Sequence, residues 1–367
     1  MYLAARDLRA AKGRFALVGV VIGLISFLAT MLAGLANGLV DDGISGLRAL
    51  PVTDFAFAEN SGAVFSRSIL TPEELAPFEE ASESATPIGV SFFNARPAED
   101  SGDAETIDIA LFGVEGDSFL TESSQAEDGT DMAGAIEGGL VLSEELSESA
   151  SVGDEFTIVG TDVTLPVVGF TFAGTYGHVP IAYTSLSTWQ ELLYGGDADG
   201  RFSAVAISGG DAEALAAAAE ATGTEVITKE EAYAGSPGFS AESATMTLIR
   251  GFLLVISALV VGAFFTVWTI QRTRQIGLLK ALGASSAYVV RDALAQLAVV
   301  LVIAIAVGSA AAFAMGAVIG DGAPFNLPIG SVLWTAAILG VVGMTGSLVA
   351  LRRITSVDPA ISLTAGV

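Results

Sequence analysis

The sequence predicts an α-helical membrane protein with four transmembrane helices and an α+β domain inserted between helices 1 and 2. Two observations lead to this fold class: the chain has four long uncharged runs, and nearly all of its acidic residues lie between the first two runs. The chain has 367 residues, of which 52% are hydrophobic, and its formal net charge is −25. A chain this apolar is not typical of a soluble domain, so the charge must be concentrated outside the membrane.

The four runs are long enough to cross a bilayer, because a helix needs about 20 apolar residues to do so. We predict transmembrane helices over residues 15–40, 244–270, 293–319 and 329–351. The first run follows several basic residues, as a secretory signal would. It is much longer than the 7–15 apolar residues of a signal peptide. We therefore expect it to be a retained span.

The distribution of charge predicts which side of the membrane each segment occupies. Residues 1–14, 271–292 and 352–367 together hold ten basic and three acidic residues. Short basic segments stay in the cytoplasm. The segment 41–250 holds six basic and 37 acidic residues. We predict a multi-pass membrane protein with both termini cytoplasmic and a large extracellular domain.

The predicted domain order follows from these two patterns. A cytoplasmic segment (1–14) leads into the first span, and the extracellular α+β domain with a stalk (41–243) leads into the second. A cytoplasmic segment (271–292) precedes the third span. An extracellular loop (320–328) precedes the fourth span, and a cytoplasmic tail (352–367) follows it.

The extracellular segment carries local signals for both strands and helices. Polar and apolar residues alternate over 54–59, which predicts a half-buried strand. Thr71-Pro72-Glu73-Glu74 predicts a capped helix, and Asp211 predicts the cap of an Ala-rich helix. Further strands are expected at 88–93, 107–113, 154–159, 163–170, 204–208 and 225–228. The elements do not follow a βαβ rhythm, so we expect an α+β domain.

The chain shows no motif for catalysis or for a metal. It lacks the phosphate-binding pattern G-x-x-x-x-G-K-[ST], has no cysteine and has a single histidine, His178. We therefore predict no catalytic residues, no metal site and no intrinsic cofactor, and we interpret His178 as an ordinary loop residue. The acidic surface would repel nucleic acid.

The spans indicate an external energy source and a second copy of the chain. Apart from Arg250, near the start of the second, the predicted spans contain no Asp, Glu, Lys, Arg or His. Ion-driven carriers usually place such groups within the membrane. Four spans are also few for enclosing a pathway, so we expect a homodimer in the lipid bilayer. Small residues four apart, such as Gly34 with Gly38 and Gly308 with Ala312, predict close helix contacts.

Three segments carry a resemblance to a known family. The stretch from Arg274 to Ser285 (RQIGLLKALGAS) resembles the signature R-x-x-E-I-x-x-L-R-A-x-G-A-S of FtsX/MacB-type ABC transporter permeases, with Gln275 where the family often has Glu. Residues 3–9 resemble the family's amphipathic N-terminal helix, and residues 353–360 resemble its closing segment. The span order also matches, so the resemblance implies a MacB-like fold.

The resemblance implies a permease subunit of an exporter that is driven by mechanotransmission from a separate cytoplasmic ABC ATPase, present in two copies, which binds the ATP. It also implies where the ATPase docks. The residues expected to couple to it are Arg6, Arg9, Arg272, Arg274, Ile276, Leu279, Lys280 and Gly283.

Within this family the chain resembles the haem-exporter permeases (Hrt-type, DevC-like) of Gram-positive bacteria, so haem is the expected cargo. Candidate haem-binding residues near the outer leaflet are Met31, Asn37, Tyr233, Glu242, Met246 and Arg250. Two alternatives stay open: a permease-like transmitter that controls cell-wall hydrolases, and an exporter of a lipoprotein, a peptide or another lipophilic compound.

Overall fold

The computed structural model describes residues 12–98, 106–122, 131–271, 285–320 and 323–355. These divide into two compact units. The sheet unit comprises Val40–Glu242, and the helical unit comprises the described residues before and after it.

Ten helices and ten strands make up the described residues. In chain order the helices are α1 (Lys12–Ala49), α2 (Pro72–Ala81), α3 (Phe119–Glu122), α4 (Met132–Gly138), α5 (Leu186–Tyr194), α6 (Ala212–Thr222), α7 (Lys229–Ala232), α8 (Phe239–Gln271), α9 (Ser286–Ile319) and α10 (Ile329–Thr355). The strands are β1 (Asp54–Ala58), β2 (Ser84–Pro97), β3 (Ile107–Val114), β4 (Leu140–Ser143), β5 (Glu155–Ile158), β6 (Thr164–Thr171), β7 (Thr175–Tyr176), β8 (Val179–Ser185), β9 (Ala204–Ser208) and β10 (Thr224–Thr228).

Four of the described helices, α1, α8, α9 and α10, are long and apolar enough to cross a membrane. The sheet-rich part of the chain lies between the first two of them. The predicted fold class, four membrane helices with an α+β domain inserted after the first, is therefore confirmed. Helix α1 continues to Ala49, past the predicted end of the span at residue 40. It ends just before Pro51, where the chain first meets a residue that cannot continue a helix.

The helical unit has an apolar core with a small polar centre. Val18 and Ile22 of α1 pack with Leu297 and Leu301 of α9. The Ser26 hydroxyl donates to the Ile305 carbonyl oxygen over 3.1 Å and lies 3.2 Å from the Ser309 hydroxyl. Hydroxyls paired in this way satisfy each other where no water is at hand, so they join α1 to α9.

The small residues of α1 have two kinds of partner. A Cβ atom at Gly308 of α9 would lie 2.3 Å from the Gly23 carbonyl oxygen, so the two helix backbones meet there, as the spacing predicts. Gly34 instead lies against the Phe325 ring, and Gly38 lies against the Pro324 carbonyl. The expectation of a helix–helix contact at Gly34 and Gly38 is therefore wrong. The connection between α9 and α10 occupies that space, and small-residue spacing does not distinguish a loop from a helix.

The sheet unit is built on one mixed sheet. Its strand order is β10-β1-β9-β2-β3-β8-β4-β6-β5, and β7 pairs with β8. The last strand, β5, also pairs with the end of β2, at Ala95–Pro97, so six strands close into a ring. Most pairs are antiparallel, while β3 with β8 and β4 with β6 are parallel.

Both faces of this sheet are buried. In β3, Ile109 and Leu111 contribute to one apolar cluster, and Phe112 and Val114 contribute to the other. The predicted cap of α2 is present and takes the form of a capping box, in which the Thr71 amide donates to the Glu74 carboxylate over 2.6 Å. The Asp211 cap of α6 is present as well.

Candidate functional site

The helical unit carries a polar ladder at one end of its helices. Arg250 of α8 donates to the Asn37 side-chain oxygen over 3.2 Å and to the Ala33 carbonyl oxygen over 3.3 Å, both on α1. The Asn37 amide donates to the Ser331 hydroxyl of α10 over 2.9 Å. Three helices are thus joined through Asn37, with the exposed guanidinium at one end.

A cleft adjoins this ladder, and we call it the Arg250 cleft. Its polar lining comes from Arg250, Asn37, Ser331 and Thr335. The rest of the lining is apolar and is formed by Ala29, Leu32, Ala33, Leu253, Leu254, Trp334 and Ile338. Its volume is about 140 Å³. One permanent positive charge therefore borders a small apolar surface, which suits one end of an amphipathic anion.

Two of the residues predicted to bind haem, Asn37 and Arg250, line this cleft together. Met31 of α1 and Met246 of α8 are half-buried. Neither is among the described residues that line the cleft. Haem binding by these two methionines therefore remains a prediction, and no cavity shared with the cleft residues supports it among the described residues.

The sheet unit contains a second polar group, the His178 cluster, formed by Asp42, His178 and Glu242. The His178 Nδ1 atom lies 2.7 Å from the Asp42 carboxylate, and its Nε2 atom lies 3.1 Å from both Glu242 carboxylate oxygens. Asp42 belongs to α1, and Glu242 to the first turn of α8. The interpretation of His178 as an ordinary loop residue missed this cluster.

Electrostatics favours a charged imidazole in the His178 cluster. Burial lowers the pKa of His178, but the hydrogen bond with Asp42 and the charge of Glu242 outweigh it, so this pKa lies above its ordinary 6.5. A weak sequence signal existed, because Asp42 closely follows the first uncharged run and Glu242 precedes the second.

Tyr233 lies apart from the His178 pairs, with its ring edge on Phe239 at a centroid distance of 6.2 Å. Burial and then the charge of Glu230 raise the pKa of its phenol, although Arg48 opposes the shift. A phenol with a raised pKa stays protonated. Tyr233 is therefore a weaker iron ligand in this environment than a tyrosinate would be.

The residues predicted to couple to an ATPase lie outside the described residues. This applies to Arg6, Arg9, Arg272, Arg274, Ile276, Leu279, Lys280 and Gly283. Their predicted role remains a prediction.

Comparison with known proteins identifies the C-terminal part of the chain. Residues 247–359 match the family described as FtsX-like permease C-terminal. The chain is 24% identical over 367 residues to a Staphylococcus haemolyticus protein named as a candidate hemin transport system permease, HrtB, with 98% of each chain covered. It is 22% identical over 377 residues to an uncharacterized ABC transporter permease of Mycobacterium tuberculosis, with 99% of each chain covered.

Among solved structures, the periplasmic region of MacB from Actinobacillus actinomycetemcomitans aligns with 51% of this chain and 94% of its own length, at 15% identity and a TM-score of 0.37. The predicted resemblance is thus confirmed where the signature residues lie: this chain carries an FtsX-like permease domain over residues 247–359.

Proposed function

We propose that this chain is the permease subunit of an ABC exporter that moves an amphipathic, carboxylate-bearing cargo, haem, out of the bacterial plasma membrane. The observation that carries the proposal is the Arg250 cleft, in which a fixed guanidinium borders an apolar wall formed by three membrane helices. The names of the staphylococcal relatives support the same cargo.

Haem combines a flat apolar ring with two propionates, and the cleft offers a partner for each part. A guanidinium holds a carboxylate through two parallel N–H bonds. Arg250 is already positioned by Asn37 and by the Ala33 carbonyl oxygen. A cleft of about 140 Å³ is smaller than the roughly 300–1,000 Å³ of a pocket that encloses a drug-sized ligand. The cleft therefore receives a propionate and one ring edge, while the remaining ring lies in lipid.

The energy source in this proposal is a separate ATPase. The sequence has no phosphate-binding motif of its own, and its uncharged runs offer no ionisable group for coupling to an ion gradient. Two ATPase subunits would dock on the cytoplasmic segments around residues 1–14 and 271–285 of a permease homodimer. Their closure would move the extracellular domains mechanically. Both termini are cytoplasmic in this arrangement.

The test measures haem binding and haem-stimulated ATP hydrolysis by the full permease with its ATPase in nanodiscs. Loss of a hydrogen-bonded charge pair costs about 1.5–3 kcal/mol, so Arg250→Gln should weaken haem binding by roughly 10-fold or more. Arg201→Gln is the matched control, because Arg201 pairs with Asp199 in the sheet unit. Haem dimethyl ester, which lacks the carboxylates, should bind equally to wild type and to Arg250→Gln.

The outcomes separate the alternatives. A wild-type complex with no haem absorption band and no haem-stimulated hydrolysis would refute the cargo. The alternative of a permease-like transmitter would be favoured by ATP hydrolysis in the absence of any transported compound, together with a change in the activity of a cell-wall hydrolase. If Arg250→Gln weakens the binding of haem and of its dimethyl ester equally, the proposed contact with the propionate is refuted, but the haem cargo is not.

A further inference from the structure

The only histidine of the chain lies in a turn that does not favour histidine. Gly177 and His178 form the two-residue loop between β7 and β8, where Tyr176 pairs with Val179. Both loop residues have positive φ, 61° and 63°. This is the pattern of a type I′ turn, in which Asn and Gly are preferred because a left-handed backbone strains other residues. The turn itself therefore does not explain the histidine, and the explanation must come from the contacts of its side chain.

The imidazole connects two helices that are far apart in sequence. It contacts Asp42 on α1 through Nδ1 at 2.7 Å and Glu242 on α8 through Nε2 at 3.1 Å. Both carboxylates are acceptors, and only the imidazolium has a donor on each ring nitrogen. A neutral imidazole would direct a lone pair at one of the carboxylates, which removes one hydrogen bond and adds repulsion.

The backbone around the cluster is fixed independently of the proton. The Gly177 amide donates to the Gly43 carbonyl oxygen over 2.9 Å, and the Ser236 hydroxyl donates to the same oxygen over 2.8 Å. Gly238 leaves room for the carboxylate, since a Cβ atom there would lie 2.8 Å from the Glu242 Oε1 atom. These two bonds hold the turn and Ser236 at Gly43 in either protonation state. The proton on His178 decides whether the first turn of α8 is also bound to α1 through Glu242.

The neighbouring charged groups are accounted for on each packed element. Glu145, which follows β4, has a pKa raised first by burial and then by the charge of Asp42, so it is the next carboxyl that senses Asp42. Asp41 pairs with Arg48 on the outer part of α1. The charges that act directly on His178 are those of Asp42 and Glu242.

We propose that His178 is a pH-controlled latch: as an imidazolium it ties Asp42 of α1 to Glu242 of α8, and loss of its proton releases one of the two. Because α1 and α8 both continue into the helical unit, the latch sets how freely their outer ends separate. The proposal concerns regulation and stands without haem, since the latch needs no cargo and no ATPase.

The direction with pH follows from the two carboxylates. They raise the pKa of His178 above its ordinary 6.5 despite the opposing effect of burial. The latch is closed at pH values below this raised pKa and opens as the pH rises through it. Acidic surroundings therefore tighten the contact between α1 and the first turn of α8, and alkaline surroundings loosen it.

The first experiment titrates His178 by NMR in the full chain, labelled at histidine, in nanodiscs. A single histidine gives a single resonance. The expected midpoint lies above the ordinary value, and Asp42→Asn and Glu242→Gln should each lower it. Asp41→Asn is the matched control, one residue away and paired with Arg48, and should leave it unchanged. An ordinary midpoint that neither variant moves would overturn the proposal.

The second experiment measures the separation of the helix ends. The chain has no cysteine, so spin labels can be placed at Ala49→Cys on α1 and Ser240→Cys on α8, both exposed. The distance distribution should be narrow at about pH 5 and broader at about pH 9, on either side of the ordinary histidine range.

In a His178→Asn background, where Asn keeps the left-handed turn, the distribution should be equally broad at both pH values. A wild-type distribution that does not change with pH, or a His178→Asn variant that changes as wild type does, contradicts the latch. Neither experiment involves haem, so a failed latch and a failed cargo are distinguishable.

Discussion

The close backbone approach between α1 and α9 at Gly308 provides a sharp test of the helical unit. Gly308 faces Gly23, Ser26 and Phe27, and a Cβ atom at 308 would lie 2.3 Å from the Gly23 carbonyl oxygen and 3.0 Å from the Phe27 amide nitrogen. These are backbone atoms, so they cannot move aside as a flexible side chain would. The Gly308→Ala substitution must therefore push the helices apart or distort them.

The loss of stability in Gly308→Ala is best measured by comparison with the same substitution at a glycine that has free space around it. Overpacking costs about 1–3 kcal/mol, whereas Ala in place of a helical Gly gains up to about 1 kcal/mol. Gly340 of α10 is the control, because a Cβ atom there would meet nothing within 4 Å. Both variants receive the same gain in helix propensity, so their difference isolates the clash of about 1–3 kcal/mol.

The assay is the thermal stability of the purified full chain in detergent. One kcal/mol corresponds to about 2–4 °C for a unit of 150–250 residues, so Gly308→Ala should melt roughly 2–12 °C below Gly340→Ala. Adding Ser26→Gly to Gly308→Ala should not restore stability, because it leaves the Gly23 oxygen in place and removes the Ser26 hydroxyl that bonds the Ile305 carbonyl oxygen. Equal melting temperatures for the two single variants would refute the described contact.

Two further predictions concern the loop before α10 and the histidine of the sheet unit. Phe325→Ala should destabilise the helical unit by about 1–3 kcal/mol, because the ring fills the space against Gly34 and Gly316; the same melting assay checks this, and an unchanged melting temperature contradicts it. His178→Asn should remove a contribution to stability that is fully present below the ordinary pKa of about 6.5 and is lost as the pH rises through the raised one. The melting temperature of the wild type should therefore fall as the pH rises across this range, and that of His178→Asn should stay nearly constant. Parallel plots of melting temperature against pH would contradict the expectation.

Local signals in the sequence predicted much of the fold, because the physics that produces them is local. The Thr71 and Asp211 caps depend on side chains within three residues of the amides they satisfy, and both are present. The four apolar helices follow from uncharged length alone. The strand β9 was predicted at its observed bounds, 204–208.

The elements that were not predicted depend on distant partners. Strand β8 begins with Val179-Pro180 and is buried on both faces towards its end, so it shows no alternation of polar and apolar residues. Its parallel partner β3 is more than sixty positions earlier in the chain. Helix α5 packs Trp189 over Gly89 and Gly113, a fit that becomes visible only once β2 and β3 are paired.

The two candidate sites also differ in how far the sequence could predict them. Asn37 and Arg250 were expected near one membrane surface from their positions beside two uncharged runs, and the structure joins them. The His178 cluster joins residues that are 136 and 64 positions apart, so its one weak signal was the position of Asp42 and Glu242 next to the first two uncharged runs. The motif that carries the family resemblance, residues 274–285, lies almost entirely outside the described residues, so its predicted role remains a prediction.

Glu242 now has two proposed partners, and they compete for the same oxygens. The sequence suggested this carboxylate as a haem-binding residue, whereas the structure places His178 Nε2 at 3.1 Å from both of its oxygens. Removing Glu242 would abolish both roles at once and could not separate them. Replacing His178 with Asn frees the carboxylate and leaves it in place. If Glu242 binds haem, haem affinity should rise in this variant and lose its dependence on pH. If Glu242 serves the latch alone, haem affinity should stay at the wild-type value.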